Sequence, residues 1–208
     1  MVLPAPRFRS GVLRGGRGAP ALVAFVAITL CGCSFDLGSW STPDKEAAPQ
    51  PAPAAASVNE AQTATTHGEA LVRSGKIAEA LAEFNKAITL DPHNAQALYN
   101  RGLLYQREKQ HQLAIDDFTS ANGLTPQSVD PLLGRAISHL ALDKVKEAAA
   151  DLDEAAQVDP QNVQVWTTRG LAYERLGDKA KASASYGRAI AIRPKDEAAR
   201  SGLARVGG

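Results

Sequence analysis

Pro92, Pro126, Pro160 and Pro194 stand at one unvarying interval with no insertion between them, and a period that strict decides the architecture before any single residue does. Taking each proline as position 32 divides the chain into four units, 61–94, 95–128, 129–162 and 163–196. Position 20 is then Ala80, Ala114, Ala148 and Ala182, and position 27 is Ala87, Ala121, Ala155 and Ala189. Position 24 is bulky (Phe84, Phe118, Leu152, Tyr186), position 8 is small (Gly68, Gly102, Ala136, Gly170), and position 30 is aliphatic (Leu90, Leu124, Val158, Ile192). In the first unit Ile77, Ala80, Leu81, Phe84, Ala87 and Ile88 follow the i, i+3, i+4, i+7 spacing of a helix buried on one face. Small residues at 8, 20 and 27 let two antiparallel helices approach closely, and each proline falls where a helix must stop. One such hairpin cannot bury its own apolar face, so the units must stack.

Repeat four carries the fullest pattern: Trp166, Gly170, Tyr173, Ala182, Tyr186, Ala189 and Pro194. This resembles the tetratricopeptide repeat (TPR). The resemblance implies an all-α solenoid of four helix-turn-helix repeats over 59–208. Lys195 to Val206 reads as a C-terminal capping helix (195–206) with Lys195, Arg200 and Arg205 on its outer face. Aromatics are only 5% of the chain and Met occurs once, so the core is built from Ala, Leu, Ile and Val, as close-packed helices require. At position 7 the family usually has Leu, and this chain has His67, Arg101, Arg135 and Arg169. Position 23 is acidic in three repeats (Glu83, Asp117, Asp151), and each acid stands the same distance ahead of the arginine of the following repeat. The spacing predicts a ladder in which the second helix of one repeat pairs its acid with the arginine of the next.

The segment before the repeats has its own logic. Residues 1–33 carry Arg7, Arg9, Arg14 and Arg17 and no acid. The run Ala21 to Leu30 spans about 15 Å as a helix, half of a ~30 Å hydrocarbon core, so it has the layout of a signal peptide and not of a transmembrane span. Leu30-Cys31-Gly32-Cys33 resembles the bacterial lipobox. That resemblance implies a lipoprotein signal peptide over 1–32 and lipidation of Cys33 as the mature N-terminus; Cys31 would put Leu30 where a small residue is needed. A short signal-anchor and a differently cut secretory peptide are the other readings. Ser34 follows Cys33, and Asp36 comes two places later, so the resemblance further implies the outer membrane, facing the periplasm. Residues 33–58, with Pro43, Pro49, Pro51 and Pro53, read as the lipid anchor followed by a disordered, semi-rigid tether.

Several chemistries are not supported. The whole chain has 23 basic and 22 acidic residues, and removing the four N-terminal arginines leaves 19 against 22, which argues against a nucleic-acid partner. Both cysteines, Cys31 and Cys33, precede the repeats, so no disulfide or zinc framework can hold the folded part. His67, His93, His111 and His139 occupy unrelated repeat positions with no ligand spacing around them; His139 stands where the family has Tyr and reads as a packing residue. No serine sits in a nucleophile-elbow context. The reading is of a non-enzyme with no cofactor and no metal.

Anchor, spacer and solenoid together read as a periplasmic scaffold that holds a protein or peptide partner of the cell envelope, with the membrane engaged through Cys33. The layout is similar to TPR lipoproteins that recruit peptidoglycan hydrolases; the alternative is a pilotin-like or tight-adherence pilus or secretin assembly lipoprotein. The sequence is silent on oligomeric state. In TPR proteins the first helix of each repeat lines the concave groove. Carried over, that implies a groove formed by Gln96, Tyr99, Asn100, Leu103 and Arg107, by Leu133, Ile137 and Leu140, and by Gln164, Thr167, Thr168, Leu171 and Arg175. Its middle is apolar and arginine recurs at position 13 as Arg73, Arg107 and Arg175. Such a groove suits an amphipathic or extended segment bearing an acid or two. The clamp by which chaperone-tail binders hold a C-terminal carboxylate would need basic and amide residues where this chain has Thr65, Glu69, Asn100, Asp130 and Gly134; only Asn100 fits.

Overall fold

The computed structural model describes residues 53–207. Nine helices follow one another among them: α1 (Pro53–Arg73), α2 (Ile77–Leu90), α3 (Ala95–Arg107), α4 (His111–Leu124), α5 (Val129–Ala141), α6 (Val145–Val158), α7 (Val163–Arg175), α8 (Lys179–Ile192) and α9 (Glu197–Val206). The signal peptide, Cys33 and the tether up to residue 52 lie outside the described residues. The end of the segment read as tether is a correction: α1 begins at Pro53, so 53–58 are helical. Proline is tolerated at a first helical position, where its missing N–H costs nothing, and Ala54-Ala55-Ala56 is a run of the strongest helix former.

The same local devices recur from repeat to repeat. Position 15, in the turn inside each hairpin, takes a positive φ four times: 79° at Gly75, 62° at Lys109, 60° at Asp143 and 79° at Gly177. At each turn the next residue's N–H reaches back into the first helix, as in Gln110 N–H to the Tyr105 carbonyl (2.8 Å) and Lys144 N–H to the His139 carbonyl (2.9 Å). This six-to-one bond closes the first helix and reverses the chain. Position 34 starts the next repeat: Asn94 accepts from Ala97 N–H (2.9 Å), Asn162 from Val165 N–H (3.2 Å) and Asp196 from Ala199 N–H (2.8 Å). Lys195 therefore precedes α9 and is not part of the cap helix.

The repeats stack by size complementarity. A Cβ added at Gly102 would stand 2.9 Å from the Phe118 ring, and one at Gly134, in the next repeat, 2.7 Å from the same ring. Tyr186 sits in the same way between Gly170 and Gly202. Where position 24 shrinks to Leu152, position 8 grows to Ala136, and both are fully buried. First helices touch along the stack (α1 with α3, α3 with α5, α5 with α7, α7 with α9), whereas none of the second helices α2, α4, α6 and α8 touches the next. The stack of residues 53–207 therefore curves with the first helices on its inner face.

The predicted charge ladder forms, but with different partners. Arg101 pairs with Asp117 of its own repeat (2.7 Å) and Arg135 with Asp151 of its own repeat (2.6 Å). Each arginine also reaches back to position 25 of the repeat before, Arg101 to Asn85 (2.8 Å) and Arg135 to Thr119 (3.3 Å). In repeat four the acid moves: position 23 is Ser185, and Arg169 takes its carboxylate from Asp153 at position 25 of repeat three (2.7 Å) while donating to Ser185 (2.7 Å). One arginine thus bridges two repeats in every case. The acid it needs stands on either side of it.

Candidate partner-binding face

Curvature leaves the solvent side of α1, α3, α5 and α7 as the inner face, and the predicted groove residues divide there into three groups. Leu133 and Leu140 are buried in the core shared by repeats three and four, and Ile137 packs half-buried against that core. They follow the core as part of the cluster that α5 shares with α6, α7 and α8. Position 9 supplies the apolar surface that stays open. Leu103 keeps 37% of its surface exposed and Leu171 40%, with Ile137 between them in the row.

The polar members are partly engaged by their own fold. Glu69, at the same position 9 in α1, accepts from Asn100 (2.9 Å) and from Gln96 (3.4 Å), so the one amide suited to a carboxylate ligand already faces a carboxylate. Tyr99 is half-buried with its ring 5.8 Å from that of Phe118; burial, and the charge of Asp130, raise its phenol above its ordinary pKa. Thr167 donates to Asp196 (3.4 Å), Thr168 is half-buried, and Gln164 is exposed. Arg175 is committed, donating to the Leu140 carbonyl (2.8 Å) and to Asp143 (2.6 Å). Arg73 and Arg107 are exposed and have no ion pair among the described residues.

A pocket of about 230 Å³ opens between α1 and α3, lined by Val72, Phe84, Leu103 and Leu104 with Glu69, Arg73 and Asn100 around it. Sequence reasoning missed this pocket and the role of Glu69, although the departure of Glu69 from the aliphatic row at position 9 was visible. It also missed Gln106, which donates to the Gly134 carbonyl and to Ser138 (both 2.9 Å) and ties α3 to α5 beneath the groove. At the far end Glu174 accepts from Arg205 (2.7 and 2.9 Å) and from Tyr186 (2.6 Å), which holds its carboxyl below the usual range and docks α9. Arg205 is therefore a docking residue of the cap and not part of its outer face. A neighbouring pocket of about 180 Å³ lies beside Gln96, Tyr99 and Asp130.

The arrangement offers aliphatic contact, two free guanidiniums and shape, which is the chemistry of holding a polypeptide segment. Among the described residues no group of His, Cys, Asp and Glu could hold a metal ion, and no helix is long and apolar enough to cross a membrane.

Comparison with known proteins agrees with this geometry. Residues 68–109 match a family described as TPR repeat, and residues 95–128 and 133–197 match two described as tetratricopeptide repeat. No curated protein sequence matches the chain. Among solved structures it is similar to MamA protein (20% identity, TM-score 0.67), covering 71% of this chain and 81% of that one. It is also similar to TTC0263, a thermophilic TPR protein of Thermus thermophilus (25% identity, TM-score 0.57, 70% and 80% covered). A third similar structure is the first TPR of Spaghetti (RPAP3) bound to the HSP90 peptide SRMEEVD (24% identity, TM-score 0.56, 58% and 95% covered).

Proposed function

This chain belongs to the tetratricopeptide repeat family, and from that premise we propose that it is a non-catalytic adaptor that captures a protein or peptide segment on the inner face of α1, α3, α5 and α7. The observation that carries the reading is the aliphatic row of exposed Leu103 and Leu171, with half-buried Ile137 between them, together with Arg73 and Arg107, two arginines that the described fold leaves unpaired. The segment it suits presents aliphatic side chains every few residues and an acid close to one end. One of the similar structures carries a bound acidic peptide, which supports the peptide-binding class. The test is capture from an envelope extract with the tag at the C-terminus, after α9. Leu103→Asp with Arg107→Glu should abolish recovery of the partner while leaving the melting temperature near wild type; unchanged recovery would place the site elsewhere.

The place of action that fits the sequence is the outer membrane, with the chain held by lipidated Cys33 and facing the periplasm. Leu30, Gly32 and Cys33 in lipobox register support it, and three acyl chains would give a stable anchor where one is marginal. Palmitate labelling that is lost in Cys33→Ala supports the anchor, and equal labelling of the two proteins rules it out.

A further inference from the structure

The register of the repeats runs on into α9. With Glu197 as position 1, Gly202 stands at position 6 and receives the Tyr186 ring of the repeat before, as Gly134 at position 6 of repeat three receives Phe118. α9 is therefore built as the first helix of a fifth repeat. In repeats one to four that helix carries a second helix over position 8, and Gly68, Gly102, Ala136 and Gly170 are all buried. At α9 position 8 is Ala204, and it is exposed. Among the described residues α9 touches α7 and α8 alone, so nothing there covers this side. What lies open is a groove of about 490 Å³, lined by Ile190 of α8 and by Arg200, Leu203, Ala204 and Gly207 at positions 4, 7, 8 and 11.

We propose that this open face of α9 docks one amphipathic helix of a partner protein, which lies antiparallel to α9 as the second helix of the fifth repeat. The chain's own hairpins give the occupant's chemistry position by position. Position 8 faces position 24, as in Phe118 on Gly102, and position 7 faces position 23, as in Arg101 with Asp117. Position 11 faces the second helix's first turn, as in Tyr173 beneath Lys181, so position 4 faces its last turn. The occupant therefore sets a bulky residue on Ala204. Position 7 is His67, Arg101, Arg135 and Arg169 in the other repeats and Leu203 here, so the residue opposite is aliphatic, because an acid would be desolvated with no cation to meet it. Position 11 is large in the other repeats (Leu71, Tyr105, His139, Tyr173) and Gly207 here, which leaves room for a second bulky residue in the occupant's first turn. Arg200 is exposed and has no ion pair among the described residues. It favours the negative end of the occupant's dipole and an acid close to it. An apolar stripe at helical spacing that ends in an acid is a helix-in-groove ligand, and this seat is separate from the inner face.

The probe is a synthetic peptide of residues 144–159, the chain's own α6 with its flanking residues, carrying Asp151→Leu at position 23 and Ala148→Leu in the first turn. Its Leu152 and Glu154 supply the bulky residue and the acid. The full chain should bind this peptide with a gain in helical circular dichroism, and should bind the unaltered 144–159 peptide about tenfold more weakly. Ala204→Trp fills the seat from an exposed position and should abolish binding while the melting temperature stays near wild type; Leu203→Asp should abolish it too. Arg200→Glu should weaken binding about fivefold, in a salt-sensitive way. Leu103→Asp with Arg107→Glu, on the inner face, should leave it unchanged. Failure of the altered peptide to bind, equal binding of the two peptides, or binding indifferent to Ala204→Trp overturns the proposal. Binding lost with the inner-face pair and kept with Ala204→Trp overturns it in favour of the inner face. Self-association of the chain in sedimentation that Ala204→Trp removes overturns it in favour of a second copy as occupant.

Discussion

Tyr186 of α8 packs its ring directly against Gly202 of α9, so closely that a Cβ at that position would overlap the ring carbons. The glycine is required there for want of space; no special backbone angle is involved. Gly202→Ala must displace a buried ring whose hydroxyl is fixed on Glu174. Overpacking of this kind costs about 1–3 kcal/mol, and the expected result is a lower melting temperature with α9 released first, read by hydrogen exchange. In a Tyr186→Leu background the same alanine should cost less, because Leu152 already tolerates larger neighbours at the equivalent place in repeat three.

The arginine brackets make a prediction that separates two sequence spacings. Asp117 and Arg101 have side chains only 7% and 20% exposed, so removing either strands a poorly solvated charge. Asp117→Asn should destabilise by about 2 kcal/mol. A double-mutant cycle should give clear coupling for Asp117 with Arg101 and none for Asp117 with Arg135. Exchanging Asp153 and Ser185 (Asp153→Ser with Ser185→Asp) should keep an acid on Arg169, since both positions face it, and cost only the bond that the Tyr173 hydroxyl donates to Asp153 (2.7 Å).

The hairpin turns predict a stabilising change. Lys109 holds a φ of 62° at the place where two other repeats have glycine. A left-handed conformation costs a side chain about 1 kcal/mol. Lys109→Gly should therefore raise the melting temperature, and Gly177→Ala should lower it by a similar amount.

His139 gives the fold a pH dependence of known sign. Burial lowers its pKa from the ordinary imidazole value, Asp151 and Glu147 oppose that shift, and Arg135 and Lys144 add to it. Its Nδ1 is buried without a hydrogen-bond partner among the described residues. The unfolded chain takes up the proton first as pH falls, so stability holds above about pH 6.5 and drops as pH descends from there toward the lowered folded pKa. His139→Tyr, which restores the residue found at this position in repeats two and four, should flatten melting temperature against pH between neutrality and mild acid.

Ligand end-groups should be read poorly. Asn100 is held by Glu69 at 2.9 Å, and the nearby negative charge repels a terminal carboxylate. Peptides that differ only in a C-terminal amide should bind with the same affinity in titration calorimetry.

The even recurrence of Pro92, Pro126, Pro160 and Pro194 was enough by itself to determine the class, the number of hairpins, and the small and bulky positions of the interface. Those features are local: a helix stop, a left-handed turn and an apolar stripe of helical period depend on neighbours within a few positions. The partner of each arginine was beyond it. Arg101 has an acid ahead of it in the chain, Glu83, and one behind it, Asp117, at comparable separations. Only the stacking distance brings Asp117 to its guanidinium and leaves Glu83 to His67 at 3.2 Å. The same holds for the binding face, where Leu133 is buried while Tyr99 and Thr167, at the same position of the neighbouring repeats, stay half-buried. Burial is set by what neighbouring repeats leave uncovered, which is a property of the stack and of no single repeat.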